Sequence, residues 1–125
     1  MLTDSKLVAF AATAMPEQSI DFYSNVLNLN LIADTPFALV FDANGTTLRI
    51  QKVETVTVTE YTILGWEVKN IITTARDLAN KGVQFKYYAN MPQDDLGIWK
   101  TPDGTMVAWF NDPDGNTLSV TQISA

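Results

Sequence analysis

Short apolar runs alternate with turn-forming residues along the whole chain and predict strands joined by tight turns and two helices. Residues 6–13 form an apolar run typical of a buried strand, which stops just before Pro16. Pro16 suits the first position of a helix, because its missing N–H would have no partner there. The helix predicted to follow ends at Asn28, and its apolar face consists of Ile20, Tyr23, Val26 and Leu27.

The rest of the chain repeats this order of elements. Three strands are predicted in the first half, at about residues 29–33, 37–42 and 47–53, with the turn signal Asn44-Gly45 between the last two. The second half predicts a strand at 62–68, a helix from the N-cap Asn70 to Gly82, and strands at 83–88, 104–111 and 116–122. We therefore expect one domain over residues 1–125, made of two β-α-β-β-β modules at about 6–53 and 62–122.

The amino-acid composition argues against several kinds of catalytic site, metal site and binding partner. The 125-residue chain has no His and no Cys, which excludes Ser-His-Asp triads, thiolate nucleophiles and the common zinc sites. A formal net charge of −6 disfavours nucleic acid as a partner. No apolar stretch is long enough to span a membrane, and the first residues do not resemble a secretion signal, so we expect a cytoplasmic protein without a membrane partner.

Four segments of the chain resemble one family. They are Phe22-Tyr23 with Val26-Leu27-Asn28-Leu29, Gly65-Trp66-Glu67-Val68, the 93–99 loop, and residues 109–118 (WFNDPDGNTL). In order and spacing they are similar to the vicinal oxygen chelate superfamily, which includes glyoxalases, bleomycin-resistance proteins and extradiol dioxygenases. The resemblance implies an α+β fold in which two βαβββ modules form curled mixed sheets around a cup, with helices on the outer faces. It also implies a homodimer.

Enzymes of this family hold a divalent metal in the cup, and the resemblance carries its ligand positions onto Val8, Arg49, Ile63 and Ser119. Val and Ile have no donor atom, Arg is a fixed cation, and a neutral Ser is a poor anchor for a divalent ion. The sequence therefore predicts no metal and no cofactor, which weakens an assignment as a glyoxalase or a dioxygenase.

Strand alternation independently predicts which side chains face the cup. Arg49 and Glu67 are the two charged residues among them. One hypothesis is a salt bridge that neutralises both side chains, since buried charges usually occur in pairs. The other is that Arg49 recognises an anionic or carbonyl-bearing ligand, while Glu67 orients the ligand or accepts a proton. The predicted ligand-binding residues are Arg49, Gln51, Glu67, Trp99, Ser119, Phe10 and Ile63.

Trp99 lies in the long insertion of the second half, outside any periodic face. It could close the mouth of the cup and stack on a flat ligand, anchor its own loop, or fill a dimer contact. Trp66 and Trp109 lie within strand-like runs and are predicted to be core residues. The adjacent Asp94 and Asp95 are expected to be solvated charges.

The leading functional prediction is a metal-free small-molecule-binding protein that sequesters an antibiotic or metabolite in its cup. The acidic balance and the aromatic residues suit an amphipathic, cationic compound. The alternative is a small enzyme of the lyase, isomerase or dioxygenase type. It would use Glu67 and Arg49 for acid–base chemistry, or a metal held by Glu67, Asp94 and Asp95. A third interpretation is a structural or regulatory module whose cup is filled by its own side chains.

Overall fold

A computed structural model describes residues 1–124 and divides the chain into two compact units, Met1–Thr57 and Val58–Ala125. Each unit contains a four-stranded mixed sheet and one helical segment, which confirms the predicted α+β fold of two similar modules. None of the helices in residues 1–124 is both long enough and apolar enough to cross a membrane.

The first unit follows the predicted order of elements. Its strands are β1 (Val8–Thr13), β2 (Asn30–Asp34), β3 (Ala38–Ala43) and β4 (Thr46–Lys52), and its helix is α1 (Pro16–Asp21). The sheet order is β1-β4-β3-β2, with β1 parallel to β4 and the other pairs antiparallel. The predicted helix does not stay α-helical to its end. Phe22–Val26 is a π-helical turn, in which the Leu27 N–H donates to the Phe22 carbonyl at 3.0 Å, and Asn28 then adopts φ 58°.

The core of the first unit lies between the helical segment and one face of the sheet. Leu48 and Ile50 of β4 are buried on this face, next to Leu39 and Phe41 of β3. Tyr23 of the π-helical turn is fully buried, and its ring centroid lies 5.7 Å from that of Phe41. Arg49, which lies between Leu48 and Ile50 in sequence, therefore points to the opposite face.

The second unit has the same strand order, and three of its four strands are shorter than their counterparts. Its elements are β5 (Leu64–Glu67), α2 (Ile71–Asn80), β6 (Trp99–Lys100), β7 (Met106–Asn111) and β8 (Thr117–Gln122). The sheet order is β5-β8-β7-β6, and β5 is parallel to β8. The predicted N-cap of α2 is confirmed, because the Asn70 side chain accepts from the Thr73 N–H at 3.1 Å. The helix buries Ile71, Ala75 and Leu78, whereas Ile72 and Ala79 are exposed.

The predicted strand at 83–88 is wrong. Phe85 forms a single isolated bridge to Phe110, and the fourth strand is instead β6, from the segment predicted to be a loop. The Lys86 N–H does bond to the carbonyl of Trp109 in β7, at 2.8 Å. The Lys86 carbonyl and the Tyr88 N–H, however, are taken by the side chain of Gln93, so no ladder continues along this segment.

Aspartates close the turns on both sides of β7. The Asp103 carboxylate accepts from the Thr101 hydroxyl and, at 3.0 Å, from the Thr105 N–H. These hydrogen bonds, the Thr101 hydroxyl first, hold the pKa of Asp103 below its ordinary value of 3.8. At the other end, the Asp112 carboxylate accepts from the Asn116 N–H at 2.9 Å and closes the tight turn between β7 and β8.

Candidate functional site

The second sheet has one face that is directed away from its buried core. Leu118 and Val120 are buried on the core face, with Ala108 and Phe110 beside them. The alternating positions form the other face. Two rows of this surface, together called the Trp109 face, consist of Gly65, Glu67, Trp99, Val107, Trp109, Ser119 and Thr121. Asn111 and Thr117 continue the surface toward the turn between β7 and β8.

Strand register arranges the Trp109 face in two rows. Gly65, Ser119 and Trp109 lie side by side in one row. The other row runs from Glu67 through Thr121 and Val107 to Trp99. Since neighbouring strands lie about 4.7 Å apart, the backbones of Glu67 and Trp99 are separated by roughly 14 Å across the sheet. The Glu67 carboxylate thus lies at one side of the face and the Trp99 ring at the other.

Three aromatic rings meet at the tryptophan side of this face and form the aromatic cluster, Tyr88, Trp99 and Trp109. The two indoles are stacked, with ring centroids 6.2 Å apart and planes inclined by 28°. Tyr88 meets Trp109 edge to face, at 5.2 Å and 82°. All three side chains are only half-buried, so the cluster keeps aromatic surface open to solvent.

The structure corrects two predictions for the tryptophans. Trp99 does belong to a strand, since it pairs with Val107 in β6. Trp109 is not a core residue: its neighbour Phe110 is fully buried, so alternation directs Trp109 to the opposite face. That alternation was the available signal for Trp109, whereas a two-residue strand is too short to show any period.

Lys86 joins the cluster from the irregular segment before β6. Its Nζ donates to the Thr117 hydroxyl at 3.1 Å and lies 5.6 Å from the centroid of the Tyr88 ring. The Thr117 hydroxyl in turn donates to the Thr59 carbonyl at 3.0 Å. Lys86 and Tyr88 were absent from the predicted site, because their segment was assigned to a sheet ladder.

Ser119 occupies the centre of the Trp109 face and is only 6% exposed. A Cβ at Gly65 would lie 2.8 Å from the Ser119 Oγ, so the glycine makes room for this hydroxyl. Glu67 is exposed. Ile63 precedes β5, is half-buried, and donates its N–H to the Thr117 carbonyl at 2.9 Å.

The remaining predicted site residues lie in the first unit. Phe10 and Arg49 are direct neighbours on β1 and β4, on the sheet face opposite Leu48 and Ile50, and Gln51 follows on the same face. Phe10 is 52% exposed, Gln51 is exposed and Arg49 is half-buried. Within Met1–Thr57, all of which is described, the one salt bridge joins Lys52 to Asp34 at 2.5 Å. The predicted pairing of Arg49 with Glu67 would join the two units and stays a prediction.

The residues at the family's metal positions do not fit a divalent ion. Val8 and Ile63 supply no donor, Arg49 is a cation, and Ser119 is neutral. The alternative carboxylate site is wrong, because no three His, Cys, Asp or Glu side chains in residues 1–124 come together as a metal site. The Asp94 carboxylate instead accepts from the Leu96 and Ile98 N–H groups, both at 2.9 Å.

Comparisons with known proteins agree with this fold. The family model for the glyoxalase/bleomycin resistance protein/dioxygenase superfamily matches residues 7–120. No curated protein sequence matches the chain. Among solved structures, lactoylglutathione lyase from Agrobacterium tumefaciens has a TM-score of 0.75 at 12% identity and covers 96% of this chain and 95% of its own.

Two further structures have similar folds. TnmS3, an antibiotic binding protein from Streptomyces sp. CB03234, has a TM-score of 0.68 at 20% identity, with 99% of each chain covered. A superfamily member from Sphaerobacter thermophilus has a TM-score of 0.73 at 20% identity and covers 98% of this chain and 100% of its own. With a family model matched over nearly its whole length, the chain belongs to the glyoxalase/bleomycin resistance protein/dioxygenase superfamily.

Proposed function

We propose that the protein binds a planar aromatic small molecule, an antibiotic or a metabolite, on the Trp109 face and sequesters it without chemical change. The observation that carries this proposal is the stacked pair of half-buried indoles, Trp99 and Trp109. Stacked aromatic pairs contribute about 0.5–1.5 kcal/mol beyond the area that they bury, so an open indole is a strong anchor for a flat ligand.

Lys86 brings one cation to this face, but its Nζ donates to the Thr117 hydroxyl and lies over the Tyr88 ring. The other polar residues of the face favour a ligand with a positive charge. Glu67 is an exposed carboxylate in the row that ends at Trp99, and the hydroxyls of Thr121 and Ser119 lie between the two sides. The net charge of −6 adds a long-range attraction for cations. A compound with a flat ring system and a cationic group therefore matches both sides of the face.

Family membership supports small-molecule binding but does not choose between binding and catalysis, because one fold hosts many functions. The similar structures include both a protein described as antibiotic binding and a lyase. The misfit of Val8, Arg49, Ile63 and Ser119 to a divalent ion favours binding that needs no metal. The family resemblance further implies a homodimer, and light scattering on purified protein would test the oligomeric state.

The proposal is tested with proflavine, a planar tricyclic cation, by isothermal titration calorimetry. We expect Trp99→Ala to weaken binding at least about tenfold, because the exposed stacking surface is lost. Tyr61→Ala is the matched control, since Tyr61 is an aromatic residue of the same unit, 70% exposed and outside the aromatic cluster. Equal affinities of the wild type and Trp99→Ala would contradict the proposal.

Mass spectrometry of the recovered probe separates sequestration from catalysis. We expect proflavine to be recovered unchanged after prolonged incubation with the protein. Conversion that disappears in Glu67→Gln would instead establish the enzymatic alternative, with Glu67 as the catalytic residue.

A further inference from the structure

The Gln93 side chain is fully engaged with the backbone around the aromatic cluster. Its Oε1 accepts from the Tyr88 N–H at 2.8 Å, and its Nε2 donates to the Lys86 and Gly97 carbonyls, both at 2.9 Å. A primary amide has two N–H donors, so both are used. One side chain thus connects the irregular segment at Lys86 and Tyr88 to the loop at Gly97.

These hydrogen bonds are made to the backbone close to Tyr88 and Trp99, the two residues whose rings contact Trp109. Tyr88 is held directly through its N–H. Trp99 is held from the other side, because the Gln93 backbone forms an isolated bridge with Trp99 and the Gln93 side chain holds the neighbouring Gly97 carbonyl. Lys86 completes the frame, since its N–H donates to the Trp109 carbonyl while its own carbonyl accepts from Gln93.

We propose that Gln93 is the positioning residue that fixes the spacing of Tyr88 and Trp99 around Trp109, and thereby the shape of the aromatic surface offered to a planar ligand. The ligand part of this inference rests on the proposed function, whereas the positioning part rests on the hydrogen bonds alone. Gln93 itself carries no aromatic surface, so it acts through the rings.

The decisive variant is Gln93→Glu, which keeps the side-chain length and an acceptor for the Tyr88 N–H. It replaces the two donors with a carboxylate oxygen that faces the Lys86 and Gly97 carbonyls, so the loop must move. The matched control is Gln84→Glu, which introduces the same charge at an exposed position of the irregular segment before β6.

The first measurement is the exciton couplet of the stacked indoles in the circular dichroism spectrum. Trp99→Phe identifies which part of the signal comes from this pair rather than from Trp66. We expect Gln93→Glu to lose most of the couplet and to bind proflavine at least about tenfold more weakly, while Gln84→Glu retains both. If Gln93→Glu does not fold, Gln93→Asn gives the same comparison, because its neutral amide is one methylene too short to reach all three groups.

A couplet of wild-type size in Gln93→Glu would overturn the positioning role. A lost couplet with unchanged proflavine affinity would overturn the link to ligand recognition. If the wild type does not bind proflavine at all, the proposed function fails for this ligand class, and the couplet still decides the role of Gln93 on its own.

Discussion

In the first unit, residues 27–29 are all that separate the helical segment from strand β2, whereas in the second unit residues 81–98 separate α2 from the corresponding strand β6. The strand order of the two sheets is nevertheless the same. The longer connection supplies Lys86 and Tyr88 and leads into Trp99, all of which contact Trp109. It also supplies Gln93, which holds the backbone of Lys86 and Tyr88. Both units thus form the same sheet, and the longer connection of the second unit provides residues of the aromatic cluster.

The largest expected effect is at the close approach that holds this longer connection together. Gly97 has φ +74°, and a Cβ there would lie 2.6 Å from the Cβ of Phe85, whose ring packs edge to face on Phe110. Gly97→Ala should therefore cost about 3 kcal/mol of unfolding free energy, from strain and from the clash.

The variant Gly82→Ala separates the backbone strain from the steric clash. Gly82 has φ +93°, but a Cβ added there would meet nothing within 4 Å, so Gly82→Ala should cost only about 1 kcal/mol. Urea unfolding of both variants measures the difference. Equal costs would show that the contact between Gly97 and Phe85 does not hold the connection in place.

A smaller effect distinguishes the starts of the two helices. Asn70 caps α2 through its side chain, whereas Met15 precedes α1 and makes no side-chain cap. We expect Asn70→Ala to lower the unfolding free energy by about 1 kcal/mol and Met15→Ala to change it by no more than about 0.5 kcal/mol. Thermal and urea unfolding measure these free energies. Equal losses of unfolding free energy in the two variants would contradict the prediction.

Much of the fold could be predicted because hydrophobic alternation reports burial directly. Leu48 and Ile50 are buried while Arg49 lies between them on the other face. Along β5, the half-buried Trp66 and the exposed Glu67 also lie on opposite faces. The segment 83–88 was predicted wrongly because it has strand-like residues. Its backbone bonds go to a side chain outside the segment, that of Gln93, and no local pattern shows such a contact.

The candidate site was predicted only in part for the same physical reasons. Glu67, Trp99 and Ser119 lie on the Trp109 face, whereas Arg49 and Phe10 lie on the first sheet. The residues missed are Tyr88, Trp109, Lys86 and Gln93. Alternation with the buried Phe110 was a signal for Trp109. The importance of the other three comes from the place where the irregular connection returns to the sheet, and hydrophobic alternation does not report that path.

The central claim is that a planar ligand stacks on Trp99 and Trp109, and the three indole N–H signals in a ¹H–¹⁵N spectrum test it directly. Trp66 is the internal control, because it lies on the opposite face of the same sheet, beside the buried Val120. Titration with proflavine should shift the Trp99 and Trp109 signals and leave that of Trp66 in place. Saturation with no shift at Trp99 and Trp109, or with a shift at Trp66 alone, would contradict the account.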